Sequence, residues 1–248
     1  MTTKPWKLRL NWTTSFRATP EILYHNERIY GNYAYLTIQK LIKQAPNSIW
    51  EHQAAAEALE SQGSNDSAIA EYQKILTIDP RRPGVHYRLG RTILARYRSH
   101  MNPTDIAEAL QEFQLELDID PANANAAYEI GEIHRDASQL EQARTFFEQA
   151  LQSHPDFPEA QLGLGTVLEE LQKPDDALPH LKQAVALDPL NDVAWYRLSQ
   201  VQRALGNETE QRAAMKEFQR LHNERPASNL TAPSEVTRQQ LDPAPAQK

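Results

Sequence analysis

The chain has 248 residues, of which 40% are hydrophobic and 24% charged, a balance that excludes wholesale disorder and allows one or two ordinary domains. A net charge of −7 sets it against phosphate backbones, and so against a nucleic-acid partner. Cysteine is absent, which removes disulfides, thiolate nucleophiles and Cys-rich zinc sites together. Glycine is scarce while Ala, Leu, Gln and Glu abound, so the composition predicts helices throughout.

Residues 1–19 are basic. Trp6, Leu8, Leu10 and Trp12 alternate with Lys7, Arg9 and Asn11 at a strand-like period of two. Three readings fit this segment: a flexible tail, an extended piece that docks on the fold or on a partner, or the end of an upstream domain. It holds no apolar run long enough for a signal peptide, and no apolar stretch of about 18 residues occurs anywhere, so neither secretion nor a membrane span is expected. The expected compartment is the cytoplasm, or the periplasm or exterior if the start is truncated.

From residue 20 onward a repeat governs the chain. Pro80, Pro121, Pro155 and Pro189 end similar segments (LTIDP, LDIDP, LQSHP, VALDP) at separations of 41, 34 and 34, and Pro46 stands 34 before Pro80. Twelve residues before each proline comes a small residue: Ala34, Ala68, Ala109, Ala143 and Ala177. Eight before it comes a bulky one: Ile38, Tyr72, Phe113, Phe147 and Leu181. Further upstream stand Ala56, Gly90, Gly131 and Gly165, Gly90 in a unit with seven extra residues. Each unit reads as two antiparallel helices, A and B. Glycine of helix A and alanine of helix B are expected where the helices pass closest, and the bulky residue of helix B between units. The terminal proline cannot continue helix B.

In chain order, 20–46 is a degenerate first unit and 47–80 a full one with a turn at Gly63–Ser64–Asn65–Asp66. Unit 81–121 carries the extra residues between its helices, near ARYRSHMNPTD, predicting a longer helix A or a protruding loop. Asn102–Pro103–Thr104–Asp105 reads as a turn and helix start. Units 122–155 and 156–189 are full length, with Pro179 inside the second helix of the latter. Unit 190–223 has Ser199 for glycine and Gln211 for alanine, and its second helix reads as a solvent-facing cap. Residues 224–248 are rich in Pro, Ser and Thr and read as a disordered tail.

Over about residues 20–222 this pattern resembles the tetratricopeptide repeat family, whose period is 34. The resemblance implies an all-α, right-handed superhelical solenoid of antiparallel helix pairs, with five full repeats after the degenerate unit. It also implies a role in holding protein partners, with helix A lining the concave face. Family members that grip the carboxylate end of heat-shock chaperones use Lys, Asn and Arg in their A helices. The matching slots here hold Gln53 and Glu57, Tyr87 and Arg91, Tyr128 and Glu132, Leu162 and Thr166, and Tyr196 and Gln200, without the Lys–Asn pairing, so that specificity is not expected.

Three units place tyrosine in one groove slot: Tyr87, Tyr128 and Tyr196. Arg88, Arg91, Glu132, Arg135, Glu169, Arg197 and Arg203 lie near it. Tyr and Arg dominate binding hot spots, so Tyr87, Arg91, Tyr128, Glu132, Arg135, Tyr196 and Arg203 are the candidate partner-binding residues, suited to an extended peptide or helix of mixed charge. The competing reading is that the tyrosines only pack between neighbouring A helices. Arg91, Arg96, Arg98 and His100 form a basic cluster, open either to an acidic partner or to solvent as a favourable helix end.

Nothing marks an enzyme. Gly163 and Gly165 fall in a helical LGLGTVL and read as packing glycines, not a phosphate loop. The eight histidines look scattered, with no pair at i, i+4, so no metal, cofactor or catalytic residue is expected. The leading expectation is an adaptor that binds another protein. The alternatives are a recognition part of an enzyme or secreted multidomain protein whose upstream region is missing, and a self-assembling solenoid.

Overall fold

Proline before a new unit and a left-handed residue inside each unit divide the chain into helices of 13 to 17 residues from Ile49 onward. The structure, a computed structural model, describes residues 36–224. The Trp6–Trp12 segment, the first helix expected in 20–46 and residues 225–248 lie outside the described residues. By its contacts the chain divides into residues 1–51 and residues 52–248.

In the first of these parts, residues 36–44 are helical (α1) and helix α2 (Ile49–Ser61) begins. Its start is held by a variant of the capping box, shifted by one residue on the carboxylate side. Ser48 Oγ accepts from the Glu51 N–H at 3.2 Å, and the Glu51 carboxylate reaches back to the Asn47 N–H.

The second part continues α2 and adds α3 (Asn65–Ile78), α4 (Val85–His100), α5 (Pro103–Ile119), α6 (Ala124–Asp136), α7 (Leu140–Ser153), α8 (Pro158–Glu170), α9 (Pro174–Leu187), α10 (Asp192–Ala204) and α11 (Glu208–Glu224). Even-numbered helices are A and odd-numbered are B, and no strand occurs among the described residues. Each A-to-B turn contains one residue at positive φ: Gly63, Met101, Ser138, Gln172 or Gly206. In four of the five the next N–H folds back across the turn, as Lys173 N to Leu168 O at 2.9 Å and Gln139 N to His134 O at 2.8 Å. The B helices α3, α5, α7 and α9 end differently. Asp79, Asp120, His154 and Asp188 precede proline, adopt ψ of 84–91° and still donate back into the helix.

Successive A helices α6, α8 and α10 touch directly, while successive B helices do so less, so helix A lines the inner side of this stack. Helix B supplies its large core residues Tyr72, Phe113, Phe147 and Leu181, all fully buried. The glycine of helix A faces the bulky residue of helix B. The nearest neighbours of a methyl group on Gly90 or Gly131 are ring carbons of Phe113 or Phe147, at 2.7 and 2.8 Å, and for Gly165 the Leu181 side chain at 2.6 Å. Glycine is required because the bulky residue of helix B presses on the helix A backbone. Gly163 presses on Phe147 from the following unit, so that ring does lie between units. Both LGLG glycines are packing glycines.

The seven extra residues lengthen both helices of their unit. α4 runs ten residues past Gly90, where α6 runs five past Gly131; α5 starts six before Ala109, where α7 starts three before Ala143. Asn102 caps α5 with Pro103 in its first turn. Pro179 sits within α9 without ending it. α4 has only Gly84 at its own cap, and the fully buried Glu116 of α5 replaces it: its carboxylate accepts from Gly84 N at 2.7 Å, Tyr87 N at 3.1 Å and Asn123 Nδ2 at 3.2 Å.

Candidate functional site: the inner face of the A helices

Tyr87, Tyr128 and Tyr196 stand seven residues after the prolines that end the preceding units. Their rings do not merely bridge neighbouring A helices. Tyr87 rests on Phe113 at 6.1 Å between centroids, Tyr128 on Phe147 at 5.9 Å and Tyr196 on Phe218 at 5.3 Å, each an aromatic of the same unit's helix B. Tyr128 also meets Phe157, which leads into the next unit, at 5.1 Å. Such tilted pairs fix ring orientation. Tyr87 and Tyr128 are half-buried and Tyr196 is 39% exposed. Burial pushes the Tyr87 phenol above its ordinary pKa, against the opposing pull of Arg91. The Arg91 guanidinium lies 5.9 Å over the Tyr87 ring.

Charged residues of the inner face largely hold each other. Arg88 pairs with Glu57 of the preceding A helix at 3.2 Å, and Arg197 with Glu169 and Glu170 of α8 at 3.4 and 3.7 Å. The Thr92 hydroxyl donates to Glu60 across the same gap. Glu132 is buried at 6% exposure and pairs with Arg135 at 2.9 Å, so it offers no open carboxylate. Burial opposes the Arg135 charge, but Glu132 and Asp136 outweigh it and hold its pKa above the ordinary value. Arg203, by contrast, is exposed.

The basic cluster near the extra residues is also changed by its surroundings. Arg96 is held by Asp105, Glu108 and Asp66 at 2.9, 2.7 and 3.5 Å, with Asp105 only 2% exposed. A shallow polar cleft opens there, but its charges are already paired. His100 is exposed.

A second feature escapes the sequence reading. His52 and His86 stand 34 apart, in one repeat slot, and Gln161 and Trp195 fill the same slot later. His86 Nε2, Gln161 Nε2 and Trp195 Nε1 lie 3.1, 2.9 and 3.0 Å from the carbonyls of Pro80, Pro155 and Pro189. On the other side His52 meets Glu71 at 2.7 Å, His86 meets Glu112 at 2.6 Å, and Gln161 meets His180 at 2.8 Å. These rungs tie helix A to helix B. Indexing histidines by repeat slot, instead of seeking pairs at i, i+4, would have shown them.

Among the described residues no group of three His, Asp or Glu is placed to hold a metal ion, and no helix is long and apolar enough to cross a membrane.

Comparison with known proteins agrees with this geometry. Models described as "Tetratricopeptide repeat" match residues 52–82, 123–190 and 162–226. Most of the unit with the extra residues lies in the gap between these matches. Among curated proteins, mouse Protein O-mannosyl-transferase TMTC3 is 27% identical over 150 residues, which cover 57% of this chain and 16% of that protein. Among solved structures, Pseudomonas aeruginosa pilF has a TM-score of 0.69 at 16% identity, covering 88% of this chain and 93% of that one. YrrB, described as a TPR protein with an unusual peptide-binding site, has a TM-score of 0.60 at 17% identity, covering 81% and 97%. MamA from Desulfovibrio magneticus has a TM-score of 0.57 at 17% identity, covering 71% and 93%.

Proposed function

The chain belongs to the tetratricopeptide repeat family, a scaffold for protein interaction, and from that premise we propose that it holds a segment of a partner protein along the inner face of its A helices. One observation carries the reading: the tyrosines of that face are propped from behind by Phe113, Phe147 and Phe218. A ring already fixed in place loses little freedom when it takes up a ligand. The lateral ion pairs add to this, because they hold successive A helices in register and leave uncharged rings as the open contact area.

Affinity capture from native lysate tests the reading. The intact protein is set beside a Tyr87→Ala, Tyr128→Ala, Tyr196→Ala variant whose helix content and melting are checked by circular dichroism. Retention of a protein by the intact chain and its loss by the folded variant is the expected result. Equal retention by both places binding away from the inner face. The compartment proposed is the cytoplasm, which fractionation checks.

A second reading has its own observation. The match to the mouse mannosyl-transferase spans only 16% of that protein, so a repeat array of this kind occurs inside a larger enzyme. On that reading this chain is the recognition part of a longer polypeptide. An endogenous product much larger than 28.3 kDa on an immunoblot would favour it.

A further inference from the structure

The residue seven positions beyond the tyrosine slot lies toward the next A helix. In α2 it is Glu60, which takes the Thr92 hydroxyl of α4; in α8 it is Glu169, which pairs with Arg197 of α10 at 3.4 Å. In α6 it is Arg135, whose charge is met within its own helix by Glu132, three residues back. In α10 the position is again an arginine, Arg203, but three residues back stands Gln200, which carries no charge. No A helix follows α10 among the described residues. Arg203 is exposed, and among the described residues it is the one arginine whose guanidinium has no partner. Two turns back on the same face stands Tyr196, whose ring is exposed yet supported by Phe218.

We propose that this open edge of α10 docks a carboxylate-bearing, extended segment of a partner protein, its Asp or Glu on Arg203 and an apolar side chain on the Tyr196 ring. The sign follows from the register. Arg135 and Arg197 each meet a carboxylate on this face, and Arg203 meets none among the described residues; its planar guanidinium matches a carboxylate with two parallel hydrogen bonds. The spacing follows from helix geometry. Seven residues of helix rise about 10 Å, which an extended chain spans in roughly three residues. The preferred segment is therefore apolar–x–x–acidic. The inference rests on the inner-face reading above and names the chemistry at one end of it.

A phage-displayed library of random dodecapeptides, panned on the full chain, supplies the probe. The best peptide is then synthesised with its acidic residue intact or replaced by Gln and followed by fluorescence anisotropy. Expected are selected sequences with the apolar–x–x–acidic spacing and a Kd weakened by roughly tenfold when either the peptide acid or Arg203 (Arg203→Ala) is removed. Arg203→Glu should turn the selection toward Lys and Arg. Among the described residues the Arg203 side chain supports no other, so these variants should melt with the parent. Peptides that need Tyr87 and Tyr128 but ignore Arg203 would overturn this inference and leave the inner-face reading standing. A library that enriches nothing would count against both.

Discussion

Phe147 is gripped from two units at once: a methyl group on Gly131 would lie 2.8 Å from its ring, and so would one on Gly163, from the side of the next unit. Alanine at either site adds helix propensity worth about 1 kcal/mol, but the overpacking it causes costs about 1–3 kcal/mol. The ring is fully buried, with little room to give, so the second term should win. Gly131→Ala is expected to destabilise the protein by about 1 kcal/mol in urea unfolding, and the double variant with Gly163→Ala to cost at least about 0.5 kcal/mol beyond the sum. Strict additivity would mean the ring escapes sideways. A different residue sets part of the acid response. Gln161 donates to the Pro155 carbonyl, so its oxygen faces His180 and accepts the Nδ1–H of a neutral imidazole. Burial lowers the His180 pKa from its ordinary 6.5, against the pull of Glu148 and Asp176. A depressed folded pKa gives stability that is full above the unfolded value and lost as pH falls through the folded one. The melting temperature should therefore drop as pH falls below 6.5, and drop less steeply over that window in His180→Gln. Equal slopes in the two proteins would remove His180 from the acid response.

At the scale of the helix, three A-to-B turns place a side chain where glycine would be at ease. Met101, Ser138 and Gln172 hold φ of 54°, 58° and 60°. The left-handed conformation costs a residue with a Cβ about 1–2 kcal/mol, and glycine gives back part of this through its freer unfolded chain. Gln172 is exposed just past the end of α8, so Gln172→Gly should raise stability by about 0.5–1 kcal/mol in a denaturant midpoint. A lowered midpoint would show that the side chain contributes something its exposure hides. These turns also show what a sequence can and cannot display. The 34-residue spacing, the glycine slot and the aromatic slot are local steric demands, and they stand in register in the sequence itself. The left-handed turn is visible at Gly63, but not where Ser138 and Gln172 adopt the same shape under the pull of packed flanking helices. The inner-face tyrosines are legible as a slot, whereas the neutralisation of Arg88 by Glu57 and of Glu132 by Arg135 is not. Those pairs depend on which rotamers meet across or along helices, and a repeat index does not specify that. The same holds for Arg96, which reads as part of a basic patch until Asp66, Asp105 and Glu108 close around it.

For the stacked units as a whole, stability is the sum of each helix pair and its interfaces with neighbours, so an end unit must satisfy one partner and present water with the other side. α11 is suited to that place. It turns Ala214 and Leu221 inward and exposes Glu208, Arg212, Lys216, Gln219, Arg220 and Asn223. The face that the α10–α11 pair protects is apolar: Leu168 of α8 and Val185 of α9 are buried at 5% and 8% exposure in the cluster that also takes in Ala194, Leu198 and Val201 of α10. Ending the chain after Leu190 would uncover that face while leaving every earlier helix pair intact. Exposed apolar area of this kind drives association. The truncated protein should therefore remain helical by circular dichroism, unfold at lower denaturant, and sediment as concentration-dependent oligomers where the intact chain shows less association. Adding Leu168→Gln and Val185→Glu to the truncated chain should reverse the association without restoring the lost stability, because it removes the sticky surface but not the missing interface. If the truncated chain sediments like the intact one, the α10–α11 pair is dispensable as a cap, and the arrangement of Tyr196 and Arg203 on its inner face would have to be explained by binding alone.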